Sequence, residues 1–159
     1  MEGTLAQTDA KDSLEEINSA ITRLKKDDET LTELNISNSI YFLQAEEKPR
    51  LAKQLELAEA LSKNTHLLTL LLVHNNLDDE FAVAISQALA VNKSITVLNL
   101  ESNNITGVGT IALANMLTAN STLRELRLNN QKFLISTEGE EALMHALEVN
   151  ETLVLQIIK

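Results

Sequence analysis

Apolar residues recur along the chain in one spacing: leucine, two residues, leucine, one residue, leucine or isoleucine. The spacing fits Leu31, Leu34 and Ile36. It returns at Leu67, Leu70 and Leu72, at Ile95, Leu98 and Leu100, and at Leu123, Leu126 and Leu128. A weaker copy begins at Leu153 and runs into Ile158. Successive copies start 36, 28, 28 and 30 residues apart. The alternating end of each copy predicts a short strand. An amide follows three of them at a fixed place, as Asn75, Asn103 and Gln131, with Leu77, Ile105 or Phe133 two residues later.

A second pattern fills the intervals. Counted back from Asn64, Asn92, Asn120 and Asn150, apolar residues stand seven, four and three places earlier. They are Leu57, Ala60 and Leu61; Ile85, Ala88 and Leu89; Leu113, Met116 and Leu117; and Leu143, Ala146 and Leu147. Those offsets put three side chains on one stripe of a helix. Each unit therefore reads strand, loop, helix, turn. Before the units, Ser13 and Glu16 make a capping box, and Ile17, Ile21 and Leu24 form a helical stripe. Residues 1–12 are expected to be a flexible N-terminal tail, and 13–159 a single domain. Residues 38–46 read as a longer loop before a helix opened by Pro49, which a first turn tolerates.

A three-residue strand and a one-sided helix cannot bury their apolar faces alone, whereas stacked copies can. The predicted fold is α/β: a leucine-rich-repeat solenoid of about five strand–helix units. It is a right-handed superhelix of the ribonuclease-inhibitor kind, since a period near 28 suits a helix on the outer face. The parallel sheet lines the concave face, helices cover the convex face, and an N-terminal helix caps the open end. Leu70, Leu98 and Leu126 should form a buried ladder.

Composition narrows the function. The chain has 159 residues, 44% of them hydrophobic but only 3% aromatic, so aliphatic side chains must fill the core. It has no cysteine, which removes disulfides, thiolate metal sites and a cysteine nucleophile and fits a reducing compartment. Thirteen Lys and Arg stand against 23 Asp and Glu, for a net charge of −10. That balance opposes nucleic-acid binding and anionic membranes. The N-terminus has no secretory signal pattern, and no apolar run is long enough to span a bilayer.

No catalytic, cofactor or metal constellation emerges. Gly107 and Gly109 lack the third glycine and the lysine of a phosphate loop and read as a turn into a helix. His66, His74 and His145 have no metal-ligand spacing. Asp78, Asp79 and Glu80, like Glu138, Glu140 and Glu141, precede helices, where carboxylates oppose the positive end of the helix dipole. Asn35, Asn92, Asn104, Asn120 and Asn150 each begin a glycosylation sequon. Three of these recur at helix-to-strand junctions, where asparagine is expected to close the helix in the left-handed conformation.

The concave face is the usual binding face of such solenoids. Strand alternation brings to it Glu33, Asn35 and Ser37, then Thr69, Leu71 and Val73, then Val97, Asn99 and Glu101, then Glu125, Arg127 and Asn129. Leu71, Val73 and Val97 form an apolar spot among polar neighbours. The candidate partner-binding set is Leu71, Val73, Val97, Asn99, Glu101, Glu125, Arg127 and Asn129. The loops after each strand, such as 102–108, are rival edges.

The stretch SITVLNLESNNITGVGTIALANML at 94–117 resembles the leucine-rich-repeat domain of tropomodulins and leiomodins. So do STLRELRLNNQ at 121–131 and the opening LEEINSAITRLKKDDETLTELNI at 14–36. NTHLLTLLLV at 64–73 and NETL at 150–153 fall in register. The resemblance spans roughly residues 13–155. It implies a non-enzymatic, cytoplasmic, cytoskeleton-associated domain whose protein partner is actin. Tropomodulins cap pointed filament ends and leiomodins nucleate filaments, so steric pointed-end capping is the implied activity. A repeat scaffold with a non-actin partner is the alternative. The family's N-terminal half and its C-terminal helix lie outside the match. Tropomyosin binding is therefore not expected from this chain, which should be a monomer.

Overall fold

The structure, a computed structural model, describes residues 2–156, with side chains described from Asp9 to Val154. Five three-residue strands form one parallel sheet in chain order: β1 (Glu33–Asn35), β2 (Thr69–Leu71), β3 (Val97–Asn99), β4 (Glu125–Arg127) and β5 (Val154–Gln156). Helices α3 (Glu47–Lys63), α4 (Asp79–Val91), α5 (Gly107–Leu117) and α6 (Thr137–Val149) connect successive strands and pack on one another in sequence. Chain-order parallel strands joined by helices are the leucine-rich-repeat architecture that the spacing predicts. Leu34, Leu70, Leu98, Leu126 and Leu155 stand in register across the sheet. Leu70, Leu98 and Leu126 are wholly buried.

The helix stripes meet this ladder. Leu57, Leu61, Ile85, Leu89, Leu113 and Leu117 are completely buried, with Leu143 and Ala146 continuing the stripe in α6. The stripe ends at Leu147, 40% exposed, because α6 has no following helix among the described residues. Phe133 departs in the same way: the equivalent Leu77 and Ile105 are buried, but Phe133 is 51% exposed in the last loop. Ile158, the end of the weakest copy, lies outside the described residues.

The N-terminal region differs from its sequence reading. Helix α1 runs Glu2–Lys25, so the stretch expected as a tail is helical and Ser13 is not a cap. Between Glu2 and Ser13 stand good helix formers such as Leu5, Ala6, Gln7, Ala10 and Lys11, and nothing stops the helix. The Ser13 hydroxyl instead reaches Ser39 Oγ at 3.0 Å and accepts from the Tyr41 backbone N–H at 3.3 Å. Ile17, Ile21 and Leu24 are buried as the stripe predicts. The expected loop at 38–46 contains a short helix, α2 (Ile40–Gln44), capped by Ser39 and pinned by the fully buried Phe42. Helix α3 begins at Glu47, so Pro49 is its third residue rather than its first, still within the first turn.

Two amide ladders hold the units in register. Asn103 Oδ1 accepts from the backbone N–H of Asn75 (2.8 Å) and Leu77 (3.1 Å), while its Nδ2 reaches the carbonyls of Leu72, Leu100 and Glu101. Asn75 and Gln131 make the matching bonds one unit away on either side. The second ladder is Asn64, Asn92, Asn120 and Asn150. Each Oδ1 accepts from the two N–H groups entering the next strand, at residues 66 and 67, 94 and 95, 122 and 123, and 152 and 153. Each Nδ2 reaches back to the end of the preceding helix, as Asn92 to Leu61 and Asn150 to Leu117. These asparagines are not left-handed: Asn64, Asn92 and Asn150 are extended, with φ of −76°, −66° and −97°. Their side chains satisfy helix-end and strand-entry groups by hydrogen bonding, which leaves no need for a positive φ. Positive φ falls instead in the loops after strands, at Asn38, His74, Asn76, Ser102 and Asn130, and at Asp27 after α1.

Candidate protein-interaction face

Side chains alternate across each strand, so the residues flanking the buried leucines point away from the helices. Sheet register assembles them into rows. Thr69, Val97 and Glu125 form one, and Leu71, Asn99 and Arg127 the next. Val73, Glu101 and Asn129 extend the patch where the chain leaves the sheet, tied by His74 N–H to the Glu101 carbonyl and Ser102 N–H to the Asn129 carbonyl. All eight candidate residues thus lie side by side over β2, β3 and β4.

Their exposure is less uniform than alternation alone suggests. Leu71, Val73 and Val97 are half-buried rather than open. Asn99 is buried, 5% exposed, because its neighbours fold over it. Asn99 Nδ2 donates to Glu101 Oε2 at 2.7 Å, and Asn129 Nδ2 donates to Glu101 Oε1. Glu101 N–H in turn donates to Asn99 Oδ1 at 2.9 Å. Glu101 is thereby held by amides from two adjacent units. Asn129 Oδ1 is buried and makes no hydrogen bond. Beside this cluster Arg127 Nε donates to Glu125 Oε1. The patch therefore presents fixed polar groups around a half-buried aliphatic spot, an arrangement suited to a protein surface rather than to a small molecule.

The remaining sequence candidates stay apart. His66 pairs with Asp27, His74 Nδ1 lies 3.0 Å from Asn38 Oδ1, and His145 lies 3.7 Å from Glu148. Among the described residues no group of His, Asp and Glu is placed to hold a metal ion. Asp78 caps α4, accepting from the N–H groups of Glu80 and Phe81. Asp79 instead crosses to the next unit, accepting from Thr106 N–H at 2.8 Å and Gly109 N–H at 2.9 Å. Gly107 and Gly109 are helical residues where neighbouring units approach closely: a Cβ on Gly109 would lie 2.8 Å from Ala82 Cβ. Among the described residues no helix is long and apolar enough to cross a membrane.

One feature lies outside the sequence reading: a cleft between α1 and the β1 edge, with Asp9, Asp12 and Glu16 on its helical wall. Carboxylates at three- and four-residue steps are a visible helical signal, but two of the three stand in the segment read as a tail.

The family model described as TMOD/LMOD Leucine-rich domain matches residues 13–157. A solved structure described as Leiomodin-1 Actin-Binding Site 2 (ABS2) is 36% identical. It superposes with a TM-score of 0.77, covering 87% of this chain and 77% of the other. The tropomodulin C-terminal domain from Caenorhabditis elegans is 26% identical with a TM-score of 0.78, over 90% of this chain and 82% of the other. No curated protein sequence matches the chain.

Proposed function

The chain belongs to the tropomodulin/leiomodin family of leucine-rich domains, and from that premise we propose that it is a non-enzymatic actin-binding domain regulating the pointed end of filaments by steric capping. The observation that carries the reading is the 36% identity, over 87% of the chain, to a leiomodin domain described as an actin-binding site. The physics of the fold supports it. Capping asks a rigid body to sit on terminal subunits and occlude the next monomer's site. A stack of units whose helices are locked by buried leucines and amide ladders is such a body. It would act in the cytoplasm at the cytoskeleton.

The proposed contact is the patch of Leu71, Val73, Val97, Asn99, Glu101, Glu125, Arg127 and Asn129. Val97 and Arg127 represent its two chemistries, an aliphatic side chain on β3, where it pairs with Glu125, and a cation on β4, where it pairs with Asn99, both half-buried. The test is pyrene-actin elongation from barbed-end-capped seeds with the chain titrated in. Slowed growth is expected. Unchanged growth despite co-sedimentation with filaments would remove capping and leave binding. The absence of both would favour a scaffold with a non-actin partner. The double change Val97→Asp with Arg127→Glu should weaken co-sedimentation by about tenfold or more, the usual size for losing a central apolar contact and a charge. Unchanged binding by a folded variant would move the contact to the loops at 102–108.

A further inference from the structure

The repeat itself identifies which backbone groups of β1 lack a partner. At the entrance of each later strand one N–H donates to the preceding unit: Thr69 to the Thr32 carbonyl, Val97 to Leu68, and Glu125 to Thr96. Two carbonyls of each later unit accept in return. Those of Leu71, Asn99 and Arg127 accept from Ile36, Leu72 and Leu100. Those of Val73, Glu101 and Asn129 accept from Asn38, His74 and Ser102. The equivalent groups in the first unit are Glu33 N–H, Asn35 C=O and Ser37 C=O. No strand precedes β1, and none of these three groups has a hydrogen-bond partner among the described residues.

Helix α1 does not seal this edge. It packs on α2 and α3 and leaves a cleft of about 510 Å³ between itself and the chain from Leu34 to Ile40. The helical wall carries Asp9, Asp12 and Glu16, all exposed and without a cationic partner among the described residues. Lys11, the nearest cation on α1, pairs with Glu15 at 3.8 Å. The cleft thus has a row of backbone groups spaced for one more parallel strand on one side and three carboxylates on the other. Whatever enters must offer backbone hydrogen bonds and positive charge together.

We propose that the cleft between α1 and the free edge of β1 binds an extended cationic peptide segment of another protein, which adds to the sheet as a parallel strand. Backbone bonds to Glu33, Asn35 and Ser37 supply the register. Alternate side chains of the added strand face α1, where Lys or Arg meets Asp9, Asp12 and Glu16. An acidic segment would suffer the repulsion of the same row, and a helix would leave the edge groups unpaired. The proposal does not depend on actin binding, because the site lies at the opposite side of β2 from most of the interaction patch.

The probe is a fluorescein-labelled alternating Lys–Val heptapeptide, titrated into the full chain by fluorescence anisotropy, with a Glu–Val heptapeptide as control. Binding by Lys–Val alone is expected, with the Glu33 amide moving downfield in the NMR spectrum as it gains an acceptor. The triple change Asp9→Asn, Asp12→Asn and Glu16→Gln, on exposed positions that leave the core untouched, should weaken binding by about tenfold, as three partly screened ion pairs together predict. N-methylation of the alternate residues that face β1 should abolish binding, and of the other set should spare it. Four results would each overturn the proposal: no Lys–Val binding, equal effects of the two methylated sets, no response to the triple change, or perturbation confined to other strands. A doubled mass without peptide, with the Glu33 amide already protected from exchange, would assign the edge to a second copy of the chain and also overturn it.

Discussion

Asn103 concentrates more backbone satisfaction than any single leucine. Two buried N–H groups and three carbonyls depend on its one side chain, itself 1% exposed. A buried polar group left without a partner costs about 1–3 kcal/mol, so Asn103→Ala should lose roughly 3 kcal/mol or more in urea denaturation. Gln131→Ala, at a half-buried site of the same ladder, should lose less; equal losses would mean that the ladder is not cooperative with burial. The amide was legible in the sequence as a residue type at a fixed place. The backbone state of the junction asparagines Asn92, Asn120 and Asn150 was not, because the propensity of asparagine for positive φ is spent elsewhere, at Asn38, Asn76 and Asn130. A titration prediction belongs to this scale. Asp28 accepts from the Thr30 hydroxyl at 2.7 Å, from Arg23 Nε at 2.6 Å and from the Thr30 N–H at 2.9 Å. These bonds, the Thr30 hydroxyl foremost, lower its pKa to about 2. The unfolded carboxyl titrates near 3.9, so the folded state binds the proton less readily. The stabilisation is present above pH about 4 and disappears as pH falls through about 2. Asp28→Asn should flatten the acid limb of stability over that window, checked by urea midpoints across a pH series; an unchanged limb would place acid sensitivity in other groups.

At the scale of elements, the strands and the helices from α3 to α6 were legible because burial imposes period two on one and a three-to-four step on the other. Leu98 belongs to the central strand, wholly buried and flanked by Leu70 and Leu126. Leu98→Ala should cost about 2–5 kcal/mol, read as a lower thermal midpoint, and a loss below that range would show that the ladder collapses around the gap. Helix α1 and α2 were less legible for a reason that can be named. Ser13 with Glu16 is a valid helix-start signal, but a start signal does not stop a helix already running through good formers. Helix α2 is too short for a periodic pattern, and it exists because Phe42 is buried and Ser39 caps it. The close approach of α4 and α5 was likewise hidden, since Gly109 reads as turn chemistry when seen alone. Its Cβ position is filled by Asp79 Oδ1, Ala82 and Ile105. Gly109→Ala should therefore push α5 off α4 and break the Asp79 bonds, for a loss of about 1–3 kcal/mol as overpacking costs. An unchanged or higher melting temperature would mean that helix propensity outweighs the contact.

The whole molecule is a stack in which each unit touches mainly its neighbours, so stability is the sum of unit and interface contributions. Its two ends are unequal. The first unit is covered by α1 through Ile17, Ile21 and Leu24, all buried. Among the described residues nothing covers the last: Leu147, Val149, Val154, Met144 and Leu134 are exposed, and Leu134 is 86% so. The equivalents of Leu147 one, two and three units earlier are Leu117, Leu89 and Leu61, each fully buried. The interface energy that those three leucines supply twice is supplied once in α6. Local opening should follow that gradient, since segments with fewer buried contacts open at lower free energy. Hydrogen exchange followed by mass spectrometry should find peptides covering 137–156 exchanging through local opening, well before those covering 95–117, which should require global unfolding. Peptides covering 17–31 should behave like the centre rather than like the far end, because α1 buries Ile17, Ile21 and Leu24 against the first unit although it leaves the edge of β1 unsealed. Uniform exchange across all units would mean that the stack unfolds as one block and that the exposed leucines of α6 carry little of its stability. A reversed gradient, with the α1 side opening first, would mean that the cleft beside β1 loosens the helix that covers it.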